Sequence, residues 1–231
     1  MPTYDDEYVL QRYRALRAAD PALFQNEADC PIQILLETDQ IQEAQRYAGS
    51  ERAAAGWRTD DLRVGLLADD IYIGHIVRDA VAFPGGRLGL YNRVIATGGV
   101  VILPILGDGI ALIRIFRHAP RRWFLEAPQG HLLPADDPMQ VAKRELAEEM
   151  GAVPTDIVPL GNVFTSTAMT SENLKMFAAR IETVGAPQRS EGIESVQTIP
   201  EGEIDALVLD GTICDGPTMS LILRARLAGL L

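Results

Sequence analysis

The stretch RELAEEMG sets Glu145, Glu148 and Glu149 within five residues, with Arg144 immediately ahead of them. In a helix Glu145 and Glu149 stack one turn apart on the same side, with Glu148 beside them, so their carboxylates can converge on one point. Like charges at that spacing weaken a helix, and the whole chain already carries a net charge of −11. A solvated helix face is the plain reading of such a run taken alone. Arg144 lies four residues before Glu148 and can hold a carboxylate in position.

The wider spacing argues for more than a solvated face. It runs Gly130, five residues, Asp136, seven residues, Arg144-Glu145-Leu146, one residue, Glu148-Glu149, one residue, Gly151. At background residue frequencies such a match arises by chance on the order of once in a hundred million starting points. The pattern resembles the Nudix box, G-x5-E-x7-R-E-U-x-E-E-x-G-U, where U is a bulky apolar residue. Two positions depart from it: Asp136 stands for the first Glu, and Ala152 is small for the final apolar place.

The resemblance implies a divalent-metal cage. Glu145, Glu148 and Glu149 would be its carboxylates, and Gln129 would add a backbone carbonyl from the preceding loop. Mg²⁺ suits such a site because it takes few carboxylates and keeps waters and substrate phosphates as its other ligands; Mn²⁺ is a possible substitute. The implied activity is hydrolysis of a nucleoside diphosphate linked to some other group.

Flanking pieces are similar to the ADP-ribose pyrophosphatase branch of that family. IFR, with Arg117, stands where the branch has a strand ending in QYR, and LEAPQG, with Glu126 and Gly130, stands for ELPAG. Ser171-Glu172 fall where the branch places its catalytic glutamate, and DGTICDGPTMSLILRA resembles its closing turn and helix. By that resemblance Glu172 is the candidate general base, with Glu148 and Arg144 as further catalytic candidates. Arg117, Glu126 and Arg93 are the candidate substrate contacts. Ser166-Thr167-Ala168 replaces the branch's SPG loop, so the sugar stays open. ADP-ribose, split to AMP and ribose 5-phosphate, leads; GDP-mannose or another nucleotide sugar would use the same catalytic parts, and a non-catalytic nucleotide sensor is the alternative of another class. His75, His118 and His131 are not at metal-ligand spacing and are expected to have no catalytic role.

The elements that must position these residues are legible in outline. Asp137 is a good N-cap, Pro138 suits the first helical position, Gln140 completes a capping-box pattern and Gly151 supplies the stop. Ala142, Leu146 and Met150 form an apolar stripe that should dock on a sheet, with Met139 close by. From about Arg63 the chain is rich in β-branched runs, and GDG at Gly107–Gly109 signals a hairpin. Strands surround the helices without regular βαβ alternation. The expected fold is therefore α+β, a Nudix-type α/β/α sandwich with a mixed sheet. Residues 1–60 are expected to form a helical accessory segment, a possible dimer contact, and residues 61–231 the hydrolase domain. Within the former, Val9, Tyr13 and Leu16 share a helical face, and TDQIQEAQRYAG reads as a helix capped by Thr38 and stopped by Gly49.

Composition narrows the partners. Of 231 residues, 47% are hydrophobic and 23% charged, as in ordinary globular proteins. The acidity argues against a nucleic-acid partner; a small nucleotide would need local arginines or metal ions. No apolar run is long enough for a membrane span, and the N-terminus lacks the basic start and apolar run of a signal peptide. With only Cys30 and Cys214, a cytoplasmic protein without a disulfide framework is expected, and a homodimer by resemblance to the branch.

Overall fold

The computed structural model describes residues 6–187 and 192–231, so the first five residues of the expected 1–60 segment lie outside the described residues. The chain folds as two compact units: one holds the described residues up to Ala96 together with Thr167–Ser171, the other Thr97–Ser166 and Glu172–Leu231.

In the first unit, helices α1 (Asp6–Ala19) and α2 (Thr38–Ala54) cover opposite faces of an antiparallel sheet built from β1 (Gln33–Leu35), β2 (Gly65–Asp70), β3 (Gly74–Ala82) and β4 (Leu88–Ile95). β3 is central, with β4 along one edge and β1 and β2 sharing the other. Side-chain alternation sorts the core. Val77 and Ile95 face Tyr13 of α1, whereas Ala80 and Leu90 face Ile41 and Ala44 of α2. One expectation is corrected here. α2 begins at Thr38, with Glu37 in the cap position, and runs through Gly49 to Ala54. A single interior glycine costs a helix only about 1 kcal/mol, and the helix-favouring Ser-Glu-Arg-Ala-Ala that follows carries it on. A Cβ at Gly49 would lie 3.0 Å from Leu62 Cδ1, so a small residue suits that packing.

The second unit is a mixed sheet packed on both faces. Its strands are β5 (Gly99–Leu106), β6 (Gly109–Arg117), β7 (Arg122–Glu126), β8 (Gln129–His131), β9 (Pro154–Phe164), β10 (Asn173–Ile181) and β11 (Ile193–Pro200), with helices α3 (Pro138–Met150), α4 (Glu201–Leu209) and α5 (Gly216–Leu227). The order is β11-β6-β5-β10-β9, with β7 continuing on β6 and β8 on β5. Only β5 and β10 run parallel among these pairs. GVVILPIL of β5 is apolar throughout because both its faces are buried. Val100 and Ile102 pack with Leu146 and Met150 of α3, and Val101 and Leu103 with Ile204 of α4 and Leu221 of α5. This is the α/β/α sandwich expected from the sequence. β11 had no clear sequence signature. A register shift between Ile193 and Ser195 interrupts its alternation, and it serves as an edge strand beside β6. No helix among the described residues is long and apolar enough to cross a membrane.

Candidate active site

The acidic helix forms as its caps dictate. Asp137 accepts a hydrogen bond from the Met139 N–H at 3.1 Å. At the other end Gly151 turns left-handed at φ 58°, and the Gly151 and Ala152 N–H groups return to the Ala147 and Leu146 carbonyls. Ala142, Leu146 and Met150 are fully buried against β5 and its neighbours. Glu145 and Glu149 each precede a stripe residue, so they are turned toward the sheet edge, only 7% and 3% exposed. Glu148 is half-buried.

β8 supplies the surface those carboxylates meet. The Gln129 N–H donates to Glu149 Oε2 at 3.0 Å. Glu145 lies so close to Gly130 that a Cβ there would come within 2.3 Å of the Glu145 Cγ; the box glycine is needed to make room for the box glutamate. Arg144 is shared, with Nη2 2.9 Å from Glu145 Oε1 and Nε 3.7 Å from Glu148 Oε2. Asp136 is occupied locally: its side chain accepts from the Leu133 N–H at 2.8 Å, and its own N–H donates to the Leu133 carbonyl.

Gln129 and Gly130 also line a cleft of about 180 Å³, together with Gly98–Val100, Arg117, His131, Glu172 and Leu174. Arg117 is held in place from behind: its Nε and Nη2 both donate to Glu126 Oε1, the former at 2.7 Å. Glu126 is 2% exposed. Burial pushes its carboxyl above the ordinary range, and Arg117 only partly offsets this. Glu126 therefore anchors Arg117 rather than facing the cleft itself. Glu172 Oε2 accepts from the Thr165 hydroxyl at 2.6 Å.

Two supports have no role at the site assigned from the sequence, although the closing turn is noted there by resemblance. His131, given no role from the sequence, lines the cleft, and its Nε2 lies 2.6 Å from Thr97 Oγ1. The closing turn does structural work: Asp215 accepts from the Thr218 N–H and hydroxyl at 2.9 and 2.6 Å, and the fully buried Thr218 hydroxyl accepts from the Ala127 N–H at 2.9 Å. The Asp-x-x-Thr pattern thus ties α5 to the chain between Glu126 and Gln129.

Arg93 belongs to the first unit. There its Nε donates to the buried Asp79 at 2.7 Å, its guanidinium lies over the Phe24 ring, and Asp79 also accepts from the Tyr13 hydroxyl. Burial, reinforced by Asp79, pushes the Tyr13 phenol well above its usual range.

Among the described residues no three His, Cys, Asp or Glu side chains are gathered tightly enough to enclose an ion. The donor set nevertheless fits a hard divalent cation: buried carboxylates on successive turns of one helix beside the half-buried Gln129 and Gly130 of β8, with the remaining positions left to water and ligand oxygens.

A model of the NUDIX domain matches residues 96–213, just over half of the chain, and the chain belongs to that family. Nudix hydrolases generally use divalent metal ions. Among its relatives, the ADP-ribose pyrophosphatase of Bacillus subtilis (strain 168) is 28% identical over 118 residues, 49% of this chain and 64% of that protein. The match thus spans just under two thirds of that relative. The GDP-mannose pyrophosphatase of Yersinia enterocolitica serotype O:8 / biotype 1B (strain NCTC 13174 / 8081) is 31% identical over 153 residues, 62% of this chain and 78% of that protein. A solved structure described as an ADP compounds hydrolase superposes with a TM-score of 0.60 at 21% identity, covering 71% of this chain and 91% of that one; it shares the fold.

Proposed function

We propose that the protein hydrolyses the pyrophosphate bond of a nucleoside diphosphate sugar, with ADP-ribose, cleaved to AMP and ribose 5-phosphate, as the leading substrate. The observation that carries this reading is the buried Glu145–Glu149 pair set against Gln129 and Gly130, the same two residues that border the cleft holding Arg117 and Glu172. At about 180 Å³ the cleft is smaller than the roughly 300–1,000 Å³ of pockets that enclose whole ligands. It suits the diphosphate, with sugar and base extending beyond it.

Glu145, Glu148 and Glu149, with the Gln129 carbonyl, would hold Mg²⁺, or Mn²⁺ in its place. When bound, the cation neutralises phosphate charge and polarises the phosphoryl oxygens. The protein's own groups do the rest. Arg117, fixed by Glu126, presents its remaining N–H groups to a diphosphate oxygen. Glu172 orients a water and takes its proton as the water oxygen bonds to phosphorus; the bridging P–O bond breaks, and its electron pair leaves with the departing phosphate. Arg144 keeps Glu145 and Glu148 in register.

A GDP-mannose substrate is the second reading, favoured by the longer match, at slightly higher identity, to the Yersinia protein. Both are tested by incubating the purified protein with Mg²⁺ and ADP-ribose, GDP-mannose and nucleoside triphosphates, and measuring phosphomonoester products. Turnover of triphosphates alone would overturn the nucleotide-sugar reading, and binding of a nucleotide sugar without turnover would make the protein a sensor. We further propose a cytoplasmic homodimer, as in the branch it resembles; a sedimentation mass of one chain would refute the dimer.

A further inference from the structure

We propose that Thr165 is a positioning residue for Glu172, fixing the carboxylate that takes the proton from water; this rests on the assignment of Glu172 as base made above. Two contacts, both within the second unit, carry the inference. The last registered pair of β9 and β10 is Phe164 with Asn173. One residue further on, the Thr165 N–H approaches the Glu172 carbonyl at 3.4 Å and the Thr165 hydroxyl donates to Glu172 Oε2 at 2.6 Å. Glu172 is therefore not carried within the loop that joins the two strands. It stands at the root, where the strand ladder ends, and its side chain is gripped by the residue opposite. A base must sit within hydrogen-bond reach of the proton it removes, so geometry comes before acidity. A flexible Glu at a cleft wall samples several rotamers; a donor on a β-branched residue, itself stiff at χ1, selects one. Thr165 is exposed and lies outside the core, so replacing it should leave the fold intact. Glu172 lines the cleft with Arg117, Gln129 and His131, and Thr165 acts only through it.

The test is a double-mutant cycle on the nucleotide sugar that the wild type hydrolyses, with Mg²⁺ present. Thr165→Val keeps shape and branching but removes the donor. It should lower kcat about tenfold, a fraction of the roughly 10²–10⁴ that a general base contributes, with KM changed less than about twofold. Thr165→Ser should restore most of kcat. Glu172→Gln should lose at least about a hundredfold, and adding Thr165→Val to it should cost nothing more, because the two act as one unit. Wild-type kcat in Thr165→Val, equal losses in the Val and Ser variants, or full additivity with Glu172→Gln would each overturn the role of Thr165 while leaving Glu172 as base. Wild-type activity in Glu172→Gln would instead remove the base assignment, and this proposal with it. A crystal structure of the Thr165→Val protein gives a readout independent of turnover: the Glu172 carboxylate should move from the cleft wall, and an unchanged rotamer would overturn the proposal.

Discussion

Glu149 is buried on a helix that also has ample polar surface, and the Gln129 N–H aimed at it explains how the site tolerates a carboxylate there. Glu149→Gln keeps shape and the acceptor oxygen but removes the charge. Its hydrolytic rate should fall by at least about a hundredfold, as for loss of one electrostatic partner of a transition state. The wild type's thermal midpoint should rise when Mg²⁺ is added and fall back with chelator, and the variant's should not move; equal responses would remove Glu149 from the cation site. Glu126 makes a different prediction. Folding raises its carboxyl pKa, chiefly through burial, so the folded state favours the protonated form. The stability this contributes is fully present below the ordinary carboxylate pKa and is lost as pH rises through the raised one. Glu126→Gln mimics the protonated state. Its midpoint relative to wild type should therefore improve steadily as pH rises out of the acidic range, while its KM rises because Arg117 has lost a charged anchor. A midpoint difference flat with pH would contradict the burial argument. Glu145, Glu148 and Glu149 could be grouped from spacing because a helix converts four-residue intervals into adjacency, whereas Gln129 entered only through the resemblance to the Nudix box. Thr165 could not, since nothing local in TSTAMTSE says that its first and last residues meet.

At the scale of elements, capping chemistry made α3 legible to within a residue: Asp137 caps, Pro138 opens and Gly151 closes it. The same rules misplaced the end of α2, where Gly49 is accommodated inside the helix. Tertiary packing overrode a weak local preference there. β11 escaped notice because its apolar residues do not share one face: Val196 packs in one core cluster and Ile199 in the other, so no period of two stands out. The Asp215–Thr218 turn shows what a short motif can do at a distance. It caps α5 and at the same time satisfies the Ala127 N–H, one residue from Glu126 and two from Gln129. Thr218→Val would leave that N–H buried without its acceptor, at a cost of about 1–3 kcal/mol. A lower denaturation midpoint in urea together with reduced kcat is the expected result. A variant as stable as wild type would show that the clamp contributes nothing.

At the scale of the whole molecule, the net charge of −11 coexists with a proposed anionic substrate because the cleft is locally different, with Arg117 on its wall and the carboxylates proposed to hold a cation beside it. The sequence conveyed this in outline but not how the chain is divided. Thr167–Ser171 fold with the first unit although residues on either side of them belong to the second. Their partners there are specific: the Tyr91 hydroxyl donates to the Ala168 carbonyl, the Val94 N–H to the Met169 carbonyl, and the Ser171 N–H to the Val94 carbonyl. A protein beginning at Thr97 would keep every strand of the mixed sheet yet lose all three partners. It should express with reduced kcat and show a protease-sensitive site near Met169; wild-type rates from that shortened protein would contradict this. The N-terminal part is thus not a detachable tag. Foreign material put in its place would have to present a hydroxyl where Tyr91 does and a strand edge where Val94 does, or the Ala168 and Met169 carbonyls and the Ser171 N–H would lose these contacts.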